Sequence, residues 1–110
     1  MPLFYRILRG PEPTREDFLP DKDSGKPRQV TPDNAHLLEG FSAYDGEAAA
    51  RRTARRFPRL GMYLAEMLIT VESGILCEQT LNEGPPGRRH YTLKGTPEAA
   101  LATVQRVLPV

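Results

Sequence analysis

The chain has 110 residues, of which 39% are hydrophobic and 26% charged, an ordinary balance for one soluble globular domain spanning residues 1–110. At this length folding buries roughly two-thirds of the surface that the unfolded chain exposes, so the core is real but modest. A net charge of +1 gives no whole-surface argument for nucleic acid or membrane binding.

The single cysteine, Cys77, excludes an internal disulfide and a multi-cysteine metal site within one chain. Its neighbours Ile75 and Leu76 place it in a strand that reads as buried. No apolar run approaches the length of a membrane-spanning helix. The start, Met1-Pro2-Leu3-Phe4-Tyr5-Arg6, lacks the pattern of a signal peptide, so a cytoplasmic location is the expectation.

Leu3 to Leu8 reads as a first strand, because Phe4 and Tyr5 favour extended backbone, and Gly10-Pro11 ends it. Thr14-Arg15-Glu16-Asp17 has the form of a helix start, with Thr14 as cap and an acid three residues on. Pro20 stops that helix after a turn or two. Residues 20–34 carry several prolines, Gly25 and many charges, which predicts a mobile loop rather than a second domain. His36 to Tyr44 forms the next block, with Phe41-Ser42-Ala43-Tyr44 as its strand.

Asp45 suits a helix cap and Glu47 the first turn. The helix is predicted from about Gly46 to Phe57. Ala50, Thr53, Ala54 and Phe57 follow the i, i+3, i+4, i+7 spacing of a buried stripe. Pro58 and Gly61 end it. Met62 to Val71 is a nearly continuous apolar run broken by Glu66, which fits a strand covered on both faces. Ile75 to Leu81 is a further strand. Asn82 to Gly87 is a turn by composition. Arg89 to Leu93 resumes as a strand, with His90 and Thr92 on one face and Tyr91 and Leu93 on the other; a half-exposed, solvated His90 is expected. Thr96-Pro97-Glu98 starts a second helix. Beyond it, either the helix continues or a shorter helix gives way to an edge strand near Gln105–Leu108. The expected fold is α+β: a small, twisted, mainly antiparallel sheet with two principal helices.

One constellation that could carry chemistry joins Arg6, Ser42 and Tyr44 with Glu78 or His90 on later strands. An arginine on the first strand, a Gly40-Phe41-Ser42 motif running into a helix, then an apolar strand and a later polar strand, resembles the mono-ADP-ribosyltransferase fold. That resemblance covers residues 3–70 and implies NAD binding in a cleft between two sheets. It implies that Arg6 matches the family's first-strand arginine and Ser42 its second-motif serine, with Tyr44 stacking on the nicotinamide ring and His90 nearby. The family's catalytic glutamate sits on a late strand, where Glu78 is the acid available, without the family's flanking pattern. The domain is accordingly expected to bind NAD or a related nucleotide, in a catalytic or a degenerate form. The chain is also similar to short bacterial proteins, a resemblance that implies no activity.

Each of these residues has a plain structural reading too. Arg6 can pair or cover a sheet edge, Ser42 can bond a neighbouring backbone group, and Tyr44 can pack at the edge of the core. The two histidines, His36 and His90, lack any spacing that would argue for a metal.

The other constellation is basic: Arg51, Arg52, Arg55, Arg56 and Arg59. Arg51, Arg55 and Arg59 share one helical face, which Arg52 and Arg56 adjoin. Guanidinium groups pair bidentately with phosphate or carboxylate, so a protein or nucleic acid partner is the alternative function, that of a non-enzymatic binding module. A solvated helix surface balanced by nearby acids is the plainer reading. There is no aromatic interleaving for single-strand stacking, no glycine-rich phosphate loop and no nucleophile–histidine–acid spacing.

Overall fold

In the computed structural model the described residues are 3–19, 40–79 and 90–110. They form six strands, β1 (Leu3–Leu8), β2 (Phe41–Tyr44), β3 (Tyr63–Leu68), β4 (Leu76–Gln79), β5 (His90–Lys94) and β6 (Val104–Pro109), with two helices, α1 (Glu47–Arg56) and α2 (Pro97–Ala102). The strands make one sheet in the order β4-β5-β2-β1-β3-β6, and every neighbouring pair is antiparallel. The expected α+β class is what the chain adopts. The predicted loop at 20–34 lies outside the described residues.

Alternation along the strands divides the side chains between two faces. Phe4, Leu8, Phe41, Ala43, Ala65, Met67 and Leu93 form the larger core, which Phe18 and the Ala100 of α2 cover. Tyr5, Tyr44 and Leu64 point the other way, against Ala50 of α1. These are called the α2 face and the α1 face below.

Phe18 arrives on the α2 face through a short 3₁₀ turn, Arg15–Phe18. The Thr14 N–H donates to the Asp17 carboxylate at 2.8 Å, as the capping pattern in the sequence implies. Proline at position 20 and the short capped start limit this element to a single turn. Its buried ring meets Phe41 edge-on at 5.6 Å, and Arg15 ties it to Glu98 of α2 at 2.8 Å.

Helix α1 corrects the sequence reading at both ends. Gly46, not Asp45, is the N-cap, and the buried positions are Ala49, Ala50, Thr53 and Ala54. Phe57 is not part of the stripe: it is 43% exposed. The residue before a proline is pushed out of helical backbone, and Phe57 precedes Pro58. Its φ of −126° and ψ of 75° take the chain out of the helix and swing the ring off the buried stripe. The alanines that remain let α1 lie close on the sheet.

A second 3₁₀ turn, Pro58–Leu60, ends at Gly61, whose φ of 144° favours glycine and where a Cβ would collide with the Leu8 carbonyl. The short-helix reading of the C-terminal segment is the one found. The Thr96 hydroxyl caps α2 by accepting from the Ala99 N–H at 3.1 Å, and β6 then pairs with β3 as an edge strand.

Cys77 and His90 both differ from expectation. Cys77 is exposed, because β4 is the opposite edge strand of the sheet, and its neighbour Leu76 is 71% exposed as well. His90 is buried, because β5 lies inside the sheet between β4 and β2. Among the described residues no helix is long and apolar enough to cross a membrane.

Candidate functional site

The two central strands end out of step. Tyr44, the last residue of β2, stands opposite Tyr5, while β1 extends two residues further to Leu3. The chain then turns through Asp45 and Gly46 into α1. This leaves a gap at one end of the sheet between the start of β1 and the start of β5. Phe4 and Tyr91 meet across it edge-on at 5.1 Å. A cleft of about 490 Å³ opens there, lined by Leu3, Phe4, Tyr5 and Tyr91 on the strand side and by Asp45, Gly46 and Glu47 at the helix start.

The sequence-predicted site residues separate across the sheet. Tyr5 and Tyr44 share the α1 face, so Arg6, one step along β1, points to the α2 face, whereas Ser42, two steps along β2, stays on the α1 face. Arg6 reaches the Asp17 carbonyl through Nε at 3.1 Å and the Ser42 carbonyl through Nη1 at 2.8 Å. Its guanidinium also lies over the Phe41 ring at 5.3 Å. It therefore pins the 3₁₀ turn and β2 to β1. Arg6 meets Ser42 only through the Ser42 backbone.

The other four predicted residues do share a face. Ser42 stands opposite Thr92, and Thr92 opposite Glu78, so Ser42 and Glu78 lie in one row two strands apart, roughly 10 Å. Glu78 pairs with Lys94 at 3.4 Å. Tyr44 and His90 are directly paired, with rings edge-on at 5.4 Å, and both are buried. The expected convergence of Arg6, Ser42 and Glu78 in one concavity is absent from this geometry.

A network that sequence reasoning treated only as an interruption lies beside the cleft. The Tyr5 hydroxyl donates to Glu66 Oε2 at 2.9 Å. Arg106 closes on the same carboxylate as a fork, with Nε to Oε1 and Nη2 to Oε2, both at 3.1 Å. The strand register makes the three neighbours, Tyr5 opposite Glu66 on one side and Arg106 opposite Glu66 on the other. The Arg106 guanidinium holds the buried Glu66 carboxyl below the usual carboxylate range. Burial, and then the bond to Glu66, push the Tyr5 hydroxyl up. Tyr5 is therefore a neutral donor held in place, and it is one of the residues that line the cleft. The available signal was Glu66 itself, a lone acid inside an apolar strand, which requires a partner.

The arginine face is also sorted by the fold. Arg51 turns inward, pairing with Glu47 at 3.0 Å and donating to the Pro109 carbonyl at 2.7 Å. Arg52, Arg55, Arg56 and Arg59 are exposed. Arg56 lies over the Phe57 ring at 5.4 Å.

Among the described residues no group of three histidine, cysteine or acidic side chains is placed to hold a metal. Comparison with protein-family models, with curated proteins and with solved structures gives no match for this chain.

Proposed function

We propose that this chain is a small ADP-ribosyltransferase-like domain that holds NAD or a related nucleotide in the cleft at the β2–α1 junction and does not turn it over. The observation that carries the reading is the cleft. Its volume of about 490 Å³ is in the range of small-molecule sites, and it combines aromatic walls with a few polar groups at one end. The aromatic rings of Tyr5 and Tyr91 suit a flat heterocycle. The Asp45 carboxylate suits ribose hydroxyls, and Glu47, which pairs with Arg51 through one oxygen, has a second oxygen to accept from them. The same two acids disfavour the diphosphate at this spot, so the nicotinamide-ribose end is the part that fits. The absence of turnover in this reading is supported by Arg6 and Ser42, whose side chains leave opposite faces of the sheet, and by Glu78, which pairs with Lys94.

Thermal unfolding with millimolar NAD, nicotinamide mononucleotide or AMP tests this. A ligand at a hundredfold excess over its dissociation constant stabilises the folded state by about 2.7 kcal/mol. NAD and the mononucleotide should raise the melting temperature, and Glu47→Gln should shrink the rise. Arg6→Ala, across the sheet, should leave the ligand-induced rise in place. A melting curve unmoved by all three compounds overturns the reading.

A second reading makes the arginine face a binding surface for an anionic macromolecule. It is favoured by the exposure of Arg52, Arg55 and Arg56 at i, i+3 and i+4 on α1, with Arg59 following. Among the described residues no carboxylate pairs with any of these four.

A further inference from the structure

Three large apolar side chains interrupt this cationic surface where α1 ends. Phe57 is 43% exposed, Leu60 37% and Met62 54%. They fall within six residues, on the 3₁₀ turn Pro58–Leu60 and its two flanks. The stretch from Ala48 to Ala65 contains five arginines and no acid or lysine. The backbone here is held firmly: the Leu60 N–H donates to the Phe57 carbonyl at 3.0 Å, and the Gly61 N–H to the Pro58 carbonyl at 3.2 Å. Gly61 is locked by its close approach to Leu8.

We infer that the surface formed by Arg52, Arg55, Arg56 and Arg59 around Phe57, Leu60 and Met62 docks an acidic protein segment with an apolar stripe. The inference rests on the second reading above and names its partner. Protein interfaces place apolar side chains at the centre and charge at the rim, and are enriched in arginine, methionine and aromatic residues while depleted in lysine. This patch has that composition. Nucleic acid would use the arginines but gives Leu60 and Met62 nothing to do. Stacking of bases is limited too, because Arg56 already lies over the one aromatic ring. The charge complementarity fixes the sign of the partner. The exposed apolar residues fix its second requirement, side chains that leave water on contact.

The test uses the full chain and a fluorescein-labelled synthetic helix carrying leucines at i, i+3, i+4 and i+7 with glutamates on both flanks. A scrambled peptide of the same composition and a single-stranded oligouridylate are the comparison probes. Fluorescence anisotropy should show saturable binding of the striped peptide, about tenfold tighter than of the scrambled one. Leu60→Ser/Met62→Ser should weaken it about tenfold, and Arg52→Ala/Arg55→Ala/Arg56→Ala should weaken it and flatten its salt dependence. All of these positions are exposed, and far-ultraviolet circular dichroism checks that each variant is folded. Equal binding of striped and scrambled peptides, or indifference to the Leu60/Met62 pair, overturns the inference. Binding of the oligouridylate alone also overturns it, while leaving the arginine-face reading standing. Binding of none of the probes removes both.

Discussion

The two faces of the sheet are built from the same strands and differ in what they tolerate. On the α2 face, Phe4, Leu8, Phe18, Phe41, Met67 and Leu93 pack as a continuous apolar core. Arg6 points into this layer, where it donates to the Asp17 and Ser42 carbonyls and lies over the Phe41 ring. On the α1 face the apolar cluster is smaller, and polar groups share the same layer: Tyr5 with Glu66 and Arg106, then Tyr44 with His90, then the row Ser42, Thr92 and Glu78. The contrast follows from what covers each face. A ring such as Phe18 fills space and excludes water, whereas an alanine stripe lets α1 lie low and leaves polar side chains to complete the layer among themselves. The cleft draws on both arrangements at the end of the sheet, with Tyr5 from the α1 face, Phe4 and Tyr91 from the α2 face, and the start of α1 beside them.

The sharpest way to break this comparison is to open the α2 face. Phe41→Ala removes a fully buried ring that touches Phe18 and carries the Arg6 guanidinium. The expected loss is about 3–5 kcal/mol, read as a shift of the denaturant midpoint without a change in slope. A loss near 1 kcal/mol would mean that this face is not the main source of stability.

Glu66→Ala tests the α1 face and should cost less, about 1–3 kcal/mol. It strips the Tyr5 hydroxyl of its acceptor in a buried place, while Arg106, whose side chain is largely exposed, can turn to water. Glu66 also sets an acid-side dependence. Its folded-state pKa is depressed, chiefly by the Arg106 hydrogen bonds. Its contribution is therefore present above the unfolded value of about 4.3 and is lost as pH falls through the folded one. The wild-type protein should lose more stability than Glu66→Ala between neutral pH and that acid range. Parallel pH profiles for the two proteins would show that the ion pair contributes nothing to folding.

The difference between the faces also explains how much could be read in advance. The strands were legible because Leu3–Leu8, Phe41–Tyr44 and the run through Tyr63–Leu68 combine β-favouring residues with clear breakers. The two-face alternation of β5 was legible for the same reason. Pairing was not, because strand order depends on contacts between residues far apart in the chain. Without the order, nothing in the sequence could say that Arg6 and Ser42 leave opposite faces, or that Cys77 lies on an edge and His90 inside. Glu66 was visible as an anomaly, but its partners come from β1 and β6, sixty-one and forty residues away. The cleft was legible only as a place, the junction of a short polar strand with a helix start. Its walls come from β1 and β5.

The smallest effect expected is at Phe57, and it separates the periodicity of the sequence from the packing of the fold. The i, i+7 spacing from Ala50 puts Phe57 on the buried stripe, and a buried ring there would cost about 3–5 kcal/mol to truncate. With the ring nearly half exposed, the apolar area lost to water is small, and an exposed arginine–aromatic contact adds only about 0.5–1 kcal/mol. Phe57→Ala should therefore cost about 1 kcal/mol or less in urea unfolding, with the slope unchanged. The same substitution should weaken binding of the striped acidic peptide, because the exposed ring lies under Arg56 and directly precedes the turn that carries Leu60. A large stability loss would return Phe57 to the core and take one of the three apolar contacts away from the docking surface. A small loss accompanied by weaker peptide binding would show that Pro58, by ending the helix at this residue, turns a core position into a surface one.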